Sequence, residues 1–486
     1  MRKYILCLSL ANSLFSTPMI WAQSVASKVE THIRHLASDR LLGRKTGHWG
    51  CDSAAAYIVQ QFETSRVKPL SDKSYVQSVP FVQYNVNRYG KIAFDSTDLH
   101  NENQFIILNG DAIPLQKMSV VMVPYAEQKE DYAQVDVKGK VVLTQTGGRT
   151  AHSVQAMLEL ASHKRHLAES LGAIAILEVF RLPATPWRSV RNNLGAKKLK
   201  LLDHDRLKGI AHCWIDGTVV PNLLKSPPPI IELAVAQENK TSLASSNVIG
   251  WIEGNDPDLK KQIVVLSAHY DHLGFGGEAN RMLPNDTIFN GARDNALGVA
   301  ALLSASERLA HSPPKRSVLL IAFTGEELGG LGSKYFVQHS PIALQDIVFN
   351  LNCDGAGFSD TTLITLVGKN YTQAGIWIES AMTNLNLKTI DDPTPEQNLF
   401  ERSDNVAFAL NGIPCATFSP GFRAFDEKIG KYYHNVRDNP DDLDYRYAQI
   451  YADAFVVAAR LLADAPHAPQ WILGNAYQNK DRKDEK

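Results

Sequence analysis

The spacing of hydrophobic positions divides this chain into three regions. In the first, Val29, Ile33 and Leu36 recur at helical intervals, a turn rich in glycine (Gly43, Gly47, Gly50) follows, and the pattern predicts a second helix from about Asp52 to Phe62. In the second, from roughly 95 to 240, short β-rich runs (Phe105–Leu108, Val120–Val123, Val141–Leu143) alternate with polar turns, with a helical stretch Ser153–Leu171 leading into the apolar run GAIAILEVF. From Ser246 the pattern becomes strand–helix alternation. KQIVVLSAH, RSVLLIAFTGEE, DIVFNLNCDG, TLITLVG and PCATFSP read as strands. NALGVAALLSASERLA, a stretch reaching about Val337, Tyr371–Leu387 and YRYAQIYADAFVVAARLLADA read as helices. Buried strands alternating with helices predict an α/β fold with a mostly parallel central sheet and helices on both faces, beside a smaller β-rich or α/β domain.

Composition adds limits. A chain of 486 residues that is 44% hydrophobic has enough apolar side chains for two domains. A formal net charge of -1 with no long basic run gives no sign of nucleic acid or an anionic membrane surface as partner. Arg2 and Lys3 precede a mainly apolar stretch, Tyr4 to Phe15, and small residues lie near Ala22, which predicts a signal peptide over 1–22 and an exported mature chain from about Gln23, periplasmic or secreted. The apolar stretch is too short to span a bilayer stably. Cys7 sits inside it rather than at its end, against a lipid anchor. Cys51, Cys213, Cys353 and Cys415 fit no zinc-knuckle spacing and are expected as buried thiols, with one disulfide as the alternative. The expected layout is an N-terminal helical segment over 23–94, an inserted domain over 95–240, a catalytic domain over 241–470 and a charged tail over 471–486.

The third region carries the chemistry. His269 ends one strand, Glu326 and Glu327 end the next, Asp354 ends another, Asp294 precedes a helix and His434 lies in YYHNVRDNPDD. In open α/β sheets the carboxyl ends of the strands form the binding rim. Imidazole nitrogens with carboxylate oxygens suit zinc. Two histidines and three carboxylates divide over two Zn2+ ions: His269 with Asp354, Glu327 with His434, and Asp294 bridging. Glu326 is left over as a general base facing the water. Asp271 is expected to accept the second imidazole N–H of His269, and Tyr433 to donate a hydrogen bond to an oxyanion. Asp404 and Asp438 are weaker candidates for buttressing. Each residue alone has a plainer reading: Asp294 and Asn295 as helix caps, Glu326-Glu327 as a solvated first helical turn, Asp354 as part of a turn, Tyr433 as an aromatic wall. His35 and His48 read as structural or surface groups, and His152, His163, His166, His204 and His212 as surface groups.

The elements H-x-D, D-N-x-x-G, G-E-E-x-G-x-x-G-S, N-x-D and Y-H occur in order between about Asn247 and Ala463. In these the chain resembles the co-catalytic dizinc exopeptidases, in particular the secreted bacterial zinc aminopeptidases. The resemblance implies a zinc-exopeptidase-like α/β fold, metal ligation by His269, Asp294, Glu327, Asp354 and His434, and Glu326 as base. The stretch around DVKGKVVL, Ala168 and GAIAILE resembles a protease-associated domain, which implies a role in shaping the substrate site. ASDRLLGRKTG looks like a segment that often precedes the catalytic domain. Two positions depart from the family: Arg293 stands where an acidic residue is common, and Asn405 where histidine is.

The function this supports is hydrolysis of N-terminal residues from peptides with a free N-terminus. The rivals are a glutaminyl-cyclase-like acyltransferase using one zinc, a carboxypeptidase using Arg293, Arg402 or Arg423 for the substrate carboxylate, and a non-enzymatic peptide-binding protein.

Overall fold

A computed structural model describes residues 27–70, 74–84, 89–100, 103–149, 154–182, 185–194, 198–201, 209–236, 240–276 and 282–478. The expected signal peptide with Cys7, His152, His204 and the last eight positions of the tail lie outside them. The chain divides into two units: one holds the described residues up to Val79 and from Ala244 onward, the other Pro80–Leu243.

In the first unit the sheet is built from β1 (Lys240–Ile252, from Ala244 on), β2 (Ile263–His269), β3 (Ser317–Phe323), β4 (Ile347–Cys353), β5 (Leu363–Val367), β6 (Lys388–Ile390) and β7 (Cys415–Pro420). Their order across the sheet is β6-β5-β7-β4-β2-β3-β1. β3, β2, β4 and β7 run parallel; β1 and β5 pair antiparallel to their neighbours in this group, and β6 runs parallel to β5. The expected parallel strands are therefore present as the centre of a mixed sheet.

Every residue of β2 and β3 is buried. Successive side chains of a strand point to opposite faces, so such a strand needs apolar cover on both sides. The cover is there. Val264, Leu266, Ala268, Val318 and Leu320 enter one core with α1 (Lys28–Leu36), α2 (Trp49–Thr64), α3 (Leu297–His311), α5 (Ala374–Thr383) and α6 (Tyr445–Asp464). Ile263, Val265, Leu319 and Ile321 enter a second core with Phe336 of α4 (Leu331–Gln338) and Phe408. Trp471 also packs into that second core and donates from Nε1 to Gly412 O at 3.1 Å, so the start of the tail is held. The helix α6 begins where Asp444 caps the N–H groups of Arg446 and Tyr447, satisfying donors the first turn leaves free.

The second unit contains an eight-stranded sheet in the order Thr97–His100, Gly90–Phe94, Ile230–Val235, Ile113–Met122, Val141–Gln145, Ala175–Phe180, Ala211–Asp216, Phe105–Asn109, with the helix Val154–Ser170. A buried polar network lies in it. Glu178 accepts from Lys164 Nζ at 3.0 Å, Trp214 Nε1 at 3.1 Å and His212 Nε2 at 2.6 Å. His212 was expected on the surface; it is buried, because Glu178 on the neighbouring strand needs its hydrogen bond. The thiols Cys51, Cys213, Cys353 and Cys415 are all buried and none is in a disulfide.

Candidate metal centre

Because β3, β2 and β4 are parallel neighbours, their C-terminal ends share one rim. His269 lies opposite Phe323 in the β2–β3 register, and Ser267 opposite Asn352 in the β2–β4 register, which sets Asp354 level with His269. Glu326 and Glu327 fall in the turn that follows β3, ahead of α4, rather than in a first helical turn. Asp294 stands in a segment of non-helical backbone immediately before α3. His434 follows the short helix Glu427–Gly430 in the left-handed region, φ 52°.

These side chains meet. His269 Nε2 lies 3.1 Å from Asp354 Oδ1 and 3.3 Å from Asp294 Oδ1. His434 Nε2 lies 3.3 Å from Asp294 Oδ2 and 3.1 Å from Glu327 Oε2. The two carboxylate oxygens of Asp294 thus face two separate histidine–carboxylate pairs. Two groups have ligand atoms all within 4.8 Å of one another: His269, Asp294 and Asp354, and His272, Asp294 and Glu327. Mixed nitrogen and oxygen donors at these positions fit zinc.

Surrounding groups fix the donors. Asp438 accepts the backbone N–H of Asp294 at 3.2 Å and the guanidinium of Arg293 at 3.0 Å. Ser403 donates to Asp354 Oδ2. The helix cap falls to Asn295, whose Oδ1 accepts from Gly298 N at 3.1 Å, rather than to Asp294. Asp271 differs from expectation. Its carboxylate lies 3.8 Å from His269 Nδ1, too far for a hydrogen bond, and Nδ1 is 3.2 Å from the Asp271 backbone carbonyl instead. The carboxylate accepts from Thr46 Oγ1 at 2.8 Å and from Glu326 N at 3.1 Å, so it orders the turn that carries the glutamates.

The N-terminal segment braces the rim. Arg44, 1% exposed, donates to the carbonyls of Tyr270 (2.8 Å), Leu36 (2.5 Å), Asn290 (2.6 Å) and Gly291 (3.0 Å). Gly43, at φ +68°, comes so near that a Cβ there would lie 2.2 Å from Gly274 O, so only glycine fits.

Charge differs sharply over short distances. Burial pushes Glu326 well above the ordinary carboxylate range, with Asp354 and Glu327 adding to the effect against the opposing pull of His269. Burial also works against the charge on Glu327, but its contacts with His272 and His434 outweigh that and hold it at about 2. For Asp294, hydrogen bonds from His269 and His434 overcome burial and keep the carboxyl well below its usual value. Burial disfavours the His434 imidazolium, yet Asp294 and Glu327 raise it to about 10. Burial lifts Asp404 to about 7.

A cavity of about 390 Å³ opens over this centre, lined by Glu326, Arg402, Phe422, Phe425 and Tyr433 among others. Tyr433 stacks on His434, ring centroids 3.9 Å apart, and its Oη accepts from Arg402 Nη2 at 3.1 Å. Arg293 is buried against Asp438 and under the Tyr432 ring, and Arg423 pairs with Asp360 at 2.6 Å. Sequence reasoning passed over His272, Arg44, Thr46 and Ser403. The short spacing of His272 from His269 was a usable signal for the first.

The model of peptidase family M28 matches residues 247–459. The chain is 29% identical over 337 residues to Aminopeptidase YwaD of Bacillus subtilis, covering 66% of this chain and 62% of that protein. It is 27% identical over 293 residues to the "probable leucine aminopeptidase 2" of Aspergillus oryzae, covering 56% and 55%. The chain thus spans less than two thirds of the length of these curated relatives. The solved structure of an aminopeptidase from Aneurinibacillus sp. strain AM-1 has the same fold, with TM-score 0.56 and 20% identity over 91% of this chain and 94% of that one. Among the described residues no helix is long and apolar enough to cross a membrane.

Proposed function

The chain carries a peptidase family M28 domain in residues 247–459, and from that premise we propose that it is an exported zinc-dependent aminopeptidase that removes N-terminal residues from peptides. The supporting observation is the placement of Asp294, whose two oxygens face His269 with Asp354 on one side and His434 with Glu327 on the other. These residues would hold two Zn2+ ions, with Asp294 shared between the two sets. Bound zinc would polarise the scissile carbonyl and lower the pKa of water toward about 7.

The chain's own groups do the rest. Glu326, on the cavity wall and coordinating nothing in this scheme, takes the proton of the attacking water and passes it to the leaving amine. Arg402 can only donate, so Tyr433 Oη accepts from it and keeps its own proton to offer the developing oxyanion. Asp271 holds the Glu326 turn through the backbone N–H. The carboxylate-rich floor of the cavity suits a substrate's free α-amino group. For a carboxypeptidase Arg293 and Arg423 serve poorly, since they are already paired with Asp438 and Asp360, and of the three arginines only Arg402 stands on the cavity wall for that rival to use. The protease-associated likeness of the inserted domain supports a substrate-shaping role for it, and export rests on the N-terminal pattern.

The test is cleavage of aminoacyl chromogenic substrates with and without chelator, beside substrates with a blocked N-terminus. Turnover should need metal and a free amine. Equal cleavage of blocked substrates, or activity that survives full metal removal, overturns the reading. Zinc stoichiometry separates the cyclase: two ions per chain are expected, and a single ion with glutaminyl-peptide cyclisation would favour that rival.

A further inference from the structure

One imidazole at this centre has no place in the scheme above. His272 follows β2 by three positions, is 1% exposed, and sets its Nδ1 2.7 Å from Glu327 Oε1. Its other ring nitrogen, Nε2, is buried without a hydrogen-bond partner.

We propose that His272 is a positioning residue which holds Glu327 by one oxygen, so that the carboxylate presents only Oε2 to the ion it shares with His434 and Asp294. The inference rests on the dinuclear reading given above. A carboxylate accepts and does not donate, so a 2.7 Å contact puts the imidazole proton on Nδ1. That leaves Nε2 as an acceptor with nothing to bind, the kind of buried polar atom retained where it serves a site. Glu327 is then split between two tasks: Oε1 belongs to His272 and Oε2 lies 3.1 Å from His434 Nε2.

The ring has little freedom to turn away. It meets the His434 ring nearly edge-on, centroids 5.9 Å apart at 69°. On another side it rests on Gly291, where a Cβ would stand 2.6 Å from His272 Cδ2. Gly291 has φ +59° and its carbonyl is bound by Arg44, so this backing is itself fixed. A carboxylate free to swing could grip an ion with both oxygens. One held at Oε1 is restrained from that swing and keeps Oε2 turned toward His434.

The experiment uses the full chain stripped of metal and titrated with zinc against a chromophoric chelator, with cobalt(II) absorption as a second readout. Wild type should take two ions. His272→Ala should weaken one of them about 10- to 100-fold and leave the other unchanged. His272→Asn, whose side-chain N–H can reach the same oxygen, should recover most of the loss and keep the wild-type cobalt spectrum. Undiminished binding of both ions by His272→Ala overturns the proposal. So does an equal loss in His272→Asn with an altered spectrum, because the imidazole would then be a ligand itself. If His272→Ala fails to fold, His272→Asn decides alone by the same spectrum and affinities. A wild type that binds a single ion brings down the dinuclear reading first, and is told apart by that count.

Discussion

At the scale of single residues, the centre separates holding from reacting. Glu326 and Glu327 are adjacent, yet His272 and His434 engage Glu327 and leave Glu326 on the cavity wall. Glu326→Gln should therefore keep two zinc ions and lose about 10²- to 10⁴-fold in kcat, read by metal analysis beside steady-state kinetics; a variant with wild-type turnover would remove Glu326 from the reaction. Tyr433→Phe tests a different bond. It deletes one hydrogen-bond donor but keeps the ring stacked on His434, so kcat should fall by about 10²-fold while zinc content is unchanged. His269, Asp294, Glu327, Asp354 and His434, which the structure brings together, could be singled out in the sequence because they follow in order near the ends of successive strands, although each alone also reads as a cap or a turn. What could not be read were the residues that act by hydrogen bonding across the fold. Thr46 reaches Asp271 from 225 positions away and carries no local signal at all. Asp271 differs for a local reason: two positions after His269 its backbone carbonyl, not its carboxylate, comes within reach of Nδ1.

At the scale of elements, the Arg44 segment acts as a clip. One guanidinium joins the carbonyl after His269 to the two carbonyls that lead into the Asp294 segment. Arg44→Met would leave the carbonyls of Tyr270 and Asn290 buried without this donor, at about 1–3 kcal/mol for each unsatisfied group, while Gly291 O keeps its bond from Ala296 N. The expected result is a lower thermal midpoint together with weaker zinc binding, and a variant with unchanged metal affinity would show that the clip stabilises without organising the rim. Long, strongly patterned elements were legible in the sequence: β2, β4, α3 and α6 were expected close to their observed bounds, whereas the strand expected to run through Glu327 ends at Phe323 and leaves both glutamates in the turn after it. Short strands with little patterning of their own were not. Gly90–Phe94, Thr97–His100 and Ile230–Val235 have weak periodicity of their own and become strands by pairing with one another and with Ile113–Met122. The antiparallel placement of β1 and β5 was equally hidden, since apolar patterning does not encode strand direction.

At the scale of the whole molecule, the two units solve the burial of polar groups differently. The first gathers its buried carboxylates around a place for cations. The second buries Glu178 with Lys164 and His212 and satisfies it from within. Burial alone would raise that carboxyl, but the hydrogen bonds and charges of His212 and Lys164 outweigh it and hold it below the ordinary value. The folded form then binds this proton less readily than the unfolded form. The associated stability is present above the usual glutamate range and is lost as pH falls through the folded pKa. Hydrogen exchange should accordingly show Val141–Gln145 and Ala175–Phe180 losing protection as the solution is acidified. Glu178→Gln should loosen them already at neutral pH, because removing one partner of a buried pair costs about 3–5 kcal/mol; unchanged exchange in that variant would mean Lys164 finds other compensation.

The position of His434 along the polypeptide has a temporal consequence. It is the last of the ligand-type side chains in the sequence, and Arg44 of the clip stands 226 positions ahead of Tyr270, whose carbonyl it binds. Neither the brace nor the cation seat can therefore close while the chain is only partly made: the brace waits for Gly291 and the seat for His434. Rim and seat are thereby assembled from distant segments in one late folding event.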